Sequence, residues 1–464
     1  MDEADWAINE FGTAVLGDRR RTDRLIEVAT VLGQRPGASI PAACDDLAMR
    51  KGVYRLLENA AVAPAAILAS HVQATWERIA AVPVVLAAQD TTELDFTGHL
   101  ATTGLGPLRH GRERGFLAHH TLAVTPEGLP LGLLAQEVWA RPERDKSASA
   151  SKRPQAERES QKWLTSLRAV GAEREAAPQT TIISVGDREA DIYDLFLVER
   201  PRGVEILVRA QHDRWVRVAT DAQQYIHALW VTLGAAPIAG ERQVAVPRRP
   251  GQRARTATLV VRWQAVVLVP PPQKKQLPPV PVWAVRTTEH APPPDVEPLD
   301  WLLLTTLPVT SFADAQERID WYVCRWTIEV WHKVLKSGCA MERRQLASAE
   351  NLQRGLALYS VIAWRVLMAT LLARAVPELP CTALLEAAEW QALYCAIHAT
   401  TAPPARPPSL GEAVRWLAKL GGYMGRRRDG PPGSEVLWRG LQRLVDLTLM
   451  YHVFSPPPSR RQCG

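Results

Sequence analysis

The chain has 464 residues, 47% of them hydrophobic, which is enough for two or three domains around a large core. A net charge of +6 and a pI near 9.1 favour an anionic partner without naming one. Cys44, Cys324, Cys339, Cys381, Cys395 and Cys463 form no CxxC pair and no zinc spacing, so they read as reduced thiols rather than a disulfide or zinc framework.

The opening M-D-E-A-D is acidic and lacks an apolar signal core, so secretion is not expected. Residues 1–60 alternate helical patterns with Arg19, Arg20, Arg21 and Arg24. Such a cluster at the start of an amphipathic helix suits a phosphate backbone, and it suits a solvated helix face equally well. The apolar run 82–89 (VPVVLAAQ) predicts a buried strand that ends at Asp90, followed by Thr91 and Thr92. Strands are predicted again at 116–124 and 129–139, joined through the turn T-P-E-G. His119 and His120 fall in the first of these, where one side chain faces the core; neither is given a metal role. A helix over 155–170 precedes a strand over 180–186 (TTIISVG) that ends at Asp187, then a helix over 188–198 and a strand over 204–209. Two strands thus deliver an aspartate at their C-terminal ends, where open sheets place ligands. An aspartate in that position also serves as a helix cap or turn residue.

Between 240 and 300 the pattern changes to short β-like runs with proline-rich turns, which predicts a β-rich insertion. Ser311, with Asp314 three residues on, is an N-cap signal for a helix running to about Gly338. From Tyr322 this helix reads Y-V-C-R-W-T-I-E-V-W-H-K-V-L-K. At ~100° per residue, Tyr322, Arg325, His332, Lys333 and Lys336 fall within ~60° of Glu329. Ile319, Val323, Val330, Trp331, Val334 and Leu335 make an apolar arc on the other side. A single carboxylate among cations suits a metal-binding acid beside phosphate-binding groups. A solvated face with i,i+4 ion pairs gives the same pattern. Asp90, Asp187 and Glu329 offer the carboxylate oxygen that Mg2+ and Mn2+ take, but their spacing does not prove that they meet. The apolar stretch 355–376 carries Arg365 at its middle and Arg374 near its end, which predicts a buried helix rather than a membrane span. Beyond about 370 the pattern is helical, with a proline-rich linker at 403–408.

Together these residues resemble the bacterial cut-and-paste transposases of the insertion-sequence-four group, which includes the transposase of transposon five. The signature of the group is Asp, Asp, Glu, with the glutamate inside Tyr-(2)-Arg-(3)-Glu-(6)-Lys. Tyr322, Arg325, Glu329 and Lys336 fit it without a gap. Further matching segments are L-G-D-R-R-R-T-D-R-L at 16–25, Q-D-T-T at 89–92, Q-E-V-W-A-R-P at 136–142, G-D-R-E-A-D-I at 186–192 and D-W-L-L-L-T at 300–305. Thr327 departs from the pattern, standing where related chains carry a basic residue.

The resemblance implies an α/β fold: a ribonuclease-H-like catalytic core with a β-rich insertion, flanked by an N-terminal helical DNA-binding domain and a C-terminal helical dimerisation domain. The corresponding expected spans are 1–62, 63–370 with the insertion at about 235–300, and 371–464. It implies that Asp90, Asp187 and Glu329 hold two Mg2+ ions, with Mn2+ as a substitute. Tyr322, Arg325 and Lys336 are expected to grip phosphates, Lys333 to add charge, and Arg188 and Arg209 to make weaker contacts. Trp301 is expected to stack on a flipped base; a tryptophan beside strand 302–305 also reads as core. Trp326, at the margin of the helix face, either packs or touches DNA. Arg19, Arg20 and Arg21 are expected on the transposon end. The implied activity is cleavage of double-stranded transposon-end DNA through a hairpin, then joining to target DNA. A homodimer would do this in the cytoplasm, at the nucleoid while acting, with no membrane involved. Two other readings stand beside it: a ribonuclease-H-like nuclease, and a transposase-derived DNA-binding protein without catalysis.

Overall fold

Strands built from aliphatic runs form the centre of the computed structural model, which describes residues 3–109, 112–142, 159–218, 225–246, 254–426 and 430–454. The first six are β1 (Val84–Asp95), β2 (Gly106–Pro107), β3 (Arg114–Val124), β4 (Pro130–Trp139), β5 (Thr181–Gly186) and β6 (Val204–Arg209). β3 pairs antiparallel with β1 on one side and with β2 and β4 on the other. β5 runs parallel to β1, and β6 parallel to β5. The order β4-β3-β1-β5-β6 is a meander followed by parallel strands with intervening helices, as expected for the α/β core.

The remaining strands are β7 (Trp215–Val218), β8 (Ile226–Ala228), β9 (Ile238–Val246), β10 (Arg255–Leu268), β11 (Val280–Glu289) and β12 (Asp300–Thr305). They extend the same sheet in the order β6-β12-β11-β10-β7-β8, with β9 on β10. The β-rich stretch, expected at about 235–300 within the core domain, lies in this same sheet. It begins at β7 and is hydrogen-bonded into the core sheet, a pairing that residue pattern alone does not specify. The basic run at 247–253, the expected helix start at 155–158 and Cys463 lie outside the described residues.

Two further expectations change. β1 does not end at Gln89 but pairs with β3 through Asp95, so Asp90 sits within the strand, opposite His120. Polar residues continue the strand because backbone pairing sustains it while its side chains from Asp90 to Glu93 stay only half-buried. The helix expected over 188–198 is reduced to a 3-10 turn, Arg188–Ala190, and one α-turn, Tyr193–Phe196. Asp191 interrupts it: its buried carboxylate accepts from the Gln211 and His212 amides and from Arg214, an arrangement incompatible with a continuous solvated helix.

Helices Glu3–Phe11, Arg19–Gln34 and Leu47–Leu57 form the N-terminal region, the last two capped by Asp18 and Asp46. Their apolar faces (Trp6, Phe11, Leu25, Leu57) belong to the same cluster as Leu86, Trp331 and Tyr359 of the core. Two buried arginines reinforce this junction. Arg344 donates to the carbonyls of Pro36, Ala38 and Cys339, and Arg354 to those of Leu57 and Val62. The long helix Ala349–Ala375 is apolar enough to span a membrane by composition, yet 78% of its most apolar window is buried in the protein. Arg365 lies 4.7 Å over the Trp6 ring, which explains a charge at the middle of that helix. Helices Ala387–His398, Leu410–Leu420 and Ser434–Phe454 form the C-terminal bundle around Trp390, Leu410, Leu417 and Leu444. Among the described residues the cysteines are free thiols, as expected.

Candidate active site

Three elements converge around β1. Asp90 projects from its middle, and β5 alongside ends at Asp187, whose Oδ1 accepts the Glu189 amide at 2.8 Å. The third element is the helix that Ser311 and Asp314 start, with both halves of the capping box formed. That helix is not continuous. Phe312–Cys324 ends at Arg325, whose amide reaches back three residues to the Tyr322 carbonyl (3.2 Å). The chain resumes as Trp326–Lys333 and then widens into a π-turn, Val334–Gly338. Tightening and then widening shifts the angular phase, so the uniform 100° spacing does not hold along it.

Glu329 and Arg325 remain together: Arg325 Nη2 donates to Glu329 Oε1 at 2.5 Å. The other Arg325 donors, Nε and Nη1, are buried without a partner. His332 turns inward, 3.6 Å from Asp90 Oδ2. Lys336, expected to grip phosphate, is engaged within the chain: its Nζ donates to the Glu93 carbonyl at 2.8 Å and pairs with Glu342 at 3.0 Å.

Burial disfavours ionisation of all three carboxyls, and their neighbours decide the outcome. For Asp90, His332 and then Arg325 outweigh burial and hold its pKa below the ordinary value. For Asp187, burial, opposed by the Glu189 amide and reinforced by the charge of Asp90, raises the pKa. Glu329 is also raised, by burial first and then against Arg325 by the charges of Asp90 and Asp187. The three carboxylates thus lie within electrostatic reach of one another and around one guanidinium. Hard oxygen donors with surplus negative charge fit a divalent ion such as Mg2+. Among the described residues no group of three or more His, Cys, Asp and Glu side chains stands as a set that could hold a metal ion, so the fit to Mg2+ rests on the chemistry of the donors alone.

A sign follows for stability. A carboxyl whose folded pKa is raised favours the folded state below its unfolded pKa of about 3.9, and that contribution is lost as pH rises through the folded value. Without metal, Asp187→Asn is therefore expected to raise the melting temperature at pH 7 by about 1–2 °C. The gain should disappear near pH 3, where the parent carboxyl is protonated in both states. Calorimetry that finds the variant less stable at pH 7 would contradict this.

Around the trio stands a ladder of rings and guanidinium groups. Trp301 meets Tyr322 edge-on at 5.9 Å, with Arg209 5.9 Å from the Trp301 ring and Arg325 5.8 Å from the Tyr322 ring. Arg209 also donates to the Asp300 carbonyl at 3.0 Å, and Trp301 is half-buried against the core while bordering the signature tyrosine. Trp326 is 62% exposed. Lys333 is exposed, 3.5 Å from Glu435, and Arg188 is exposed next to Asp187. The structure does not bring Arg19, Arg20 and Arg21 to the trio. They open the second N-terminal helix and are partnered locally, by Asp23, Asp18 and the Leu16 carbonyl respectively. His119 and His120 are both fully buried, where one core-facing ring was expected.

Residues 3–62 match the family described as Transposase DNA-binding. Residues 361–450 match the Transposase Tn5 dimerisation domain.

Proposed function

We propose that this chain is a Tn5-like transposase that binds DNA through the region of residues 3–62 and pairs through that of residues 361–450, and that Asp90, Asp187 and Glu329 form a metal-dependent centre that cuts and then joins DNA strands. The observation that carries the reading is Arg325. Two of its buried donors have no partner, and it stands among three carboxylates, of which Asp90 opposes the ionisation of Asp187, and both oppose that of Glu329. A buried donor without a partner is costly, and a phosphate oxygen satisfies it.

Divalent ions, when bound, supply an activated water and neutralise charge on the leaving oxygen. The residues of the chain do the rest. Arg325 orients the phosphodiester, Tyr322 holds the Arg325 side chain in place, and exposed Arg188 and Lys333 add positive charge at the rim. Trp326, exposed on the helix of Glu329, and Trp301 beside Tyr322 offer ring faces for an unpaired base. Two transposon ends need two such centres, and a pairing chain with one centre supplies them as a symmetric dimer.

The test is incubation with Mg2+ of a linear duplex carrying terminal inverted repeats, sought in the DNA on either side of the coding sequence, resolved on a denaturing gel. Nicks at the repeat boundary that mature into hairpin ends, and that vanish with chelator, are the expected result. Degradation of an RNA–DNA hybrid without preference for the repeats points instead to a ribonuclease-H-like nuclease. Repeat binding with no cutting leaves only a DNA-binding protein.

A further inference from the structure

The strand that carries Asp90 is held on both faces by a pair of adjacent histidines from β3. Thr91 pairs with His119, and Asp90 with His120. On one face, His119 contacts Gln89 Oε1 at 3.1 Å and Thr91 Oγ1 at 2.9 Å, and Gln89 donates on to Ser184 of β5 at 2.8 Å. On the other face the support runs through the helix of Glu329. His332 Nδ1 stands 3.6 Å from Asp90 Oδ2, and its Nε2 is 3.1 Å from His120 Nδ1. His120 Nε2 in turn lies 3.1 Å from Gln136 Oε1, which also accepts from Ser360 at 2.8 Å.

This chain leaves little room for movement. Trp331 packs its ring 4.7 Å from His120 and 5.1 Å from His332, and its Nε1 donates to the Ser360 carbonyl at 3.3 Å. His332 is only 6% exposed. It follows Glu329 by three residues, so one helical turn carries both a carboxylate of the site and the group that touches another carboxylate of the site. The gap between β1 and that helix is therefore spanned at Asp90 by a side chain whose far end is anchored in the core.

We propose that His332 is a positioning residue that sets Asp90 against Glu329 for divalent-metal binding, through the contact of its Nδ1 with the Asp90 carboxylate. This rests on the carboxylate trio being the metal centre. Groups behind a ligand that fix its orientation commonly change metal affinity by about 10–100-fold when removed.

The two ring nitrogens of His332 face different partners, and this separates positioning from packing. An asparagine amide overlies Nδ1 and keeps the group that meets Asp90. A glutamine amide overlies Nε2 and keeps the group that meets His120. Full-length parent, His332→Asn, His332→Gln, His332→Ala and Asp90→Ala are titrated with Mn2+ alone, following free Mn2+ by electron paramagnetic resonance, with melting temperature measured in parallel. The expected result is that His332→Asn binds within about threefold of the parent while His332→Gln and His332→Ala bind at least about tenfold more weakly. A glutamine variant that binds as tightly as the asparagine variant, or more tightly, overturns the proposal and leaves His332 a packing residue. Parent protein that takes up no more Mn2+ than Asp90→Ala is a different result: it overturns the metal centre itself.

Discussion

Replacing Asp90 or Asp187 by alanine, or Glu329 by glutamine, is expected to slow strand cleavage by at least about 10³-fold, equivalent to roughly 4 kcal/mol of lost transition-state stabilisation. Affinity for the terminal-repeat duplex should stay within about threefold of the parent, because binding rests on cations and carboxylates repel phosphates. Glu329→Gln is the most informative of the three. It preserves shape but removes the charge that engages Arg325 Nη2, so the guanidinium is released toward phosphate rather than lost. Electrophoretic mobility shift and single-turnover cleavage, measured on the same preparations, separate the two effects. Cleavage by Glu329→Gln within tenfold of the parent would remove the glutamate from the chemistry.

Arg344→Ala is expected to destabilise the protein by about 3–5 kcal/mol, an effect of the size seen when one member of a buried charged network is removed. Arg344 is 4% exposed, and its guanidinium satisfies the carbonyls of Pro36, Ala38 and Cys339 and lies 4.3 Å over the Tyr359 ring. Truncation leaves carbonyls on both sides of the junction unsatisfied. Arg344→Lys should recover less than half of the loss, since a point charge cannot reach several carbonyls in the planar fork geometry. Urea unfolding monitored by tryptophan fluorescence gives both numbers. A loss below about 1 kcal/mol for Arg344→Ala would show that the junction does not depend on it.

Much of the core was legible because its signals are local. Strand Val204–Arg209 falls at the predicted residues, and strand Thr181–Gly186 starts one residue late. The capping pair Ser311 and Asp314 forms as its spacing implies. What stayed illegible depends on partners distant in sequence. β1 runs past Asp90 because β3 pairs with it, and an apolarity pattern stops where the side chains become polar. The insertion strands join the core sheet through β12, a pairing with no mark in the residues themselves. Within the site, the tyrosine-to-lysine spacing located Glu329 and Arg325. The single uniform helix expected between Tyr322 and Lys336 does not form, because the backbone tightens at Arg325 and widens after Lys333. His332 was counted among the bases of an open face. Its inward turn becomes visible only when His120, more than two hundred residues earlier in the chain, is seen at its other nitrogen.

The shared core of the N-terminal helices bears on engineering. Trp6, Phe11, Leu25 and Leu57 are buried with Trp331 and Tyr359, and Glu10 reaches across to His71 and Arg78. Removing residues 1–60 would therefore uncover the apolar core of the central sheet domain instead of yielding a free-standing fragment, since each large apolar side chain so exposed forfeits roughly 1.5–3 kcal/mol. Nor is the N-terminal region an interchangeable cartridge: a foreign DNA-binding domain would have to reproduce the buried seam as well. Retargeting is better sought one solvent-facing residue at a time, on an N-terminal region left seated where it is.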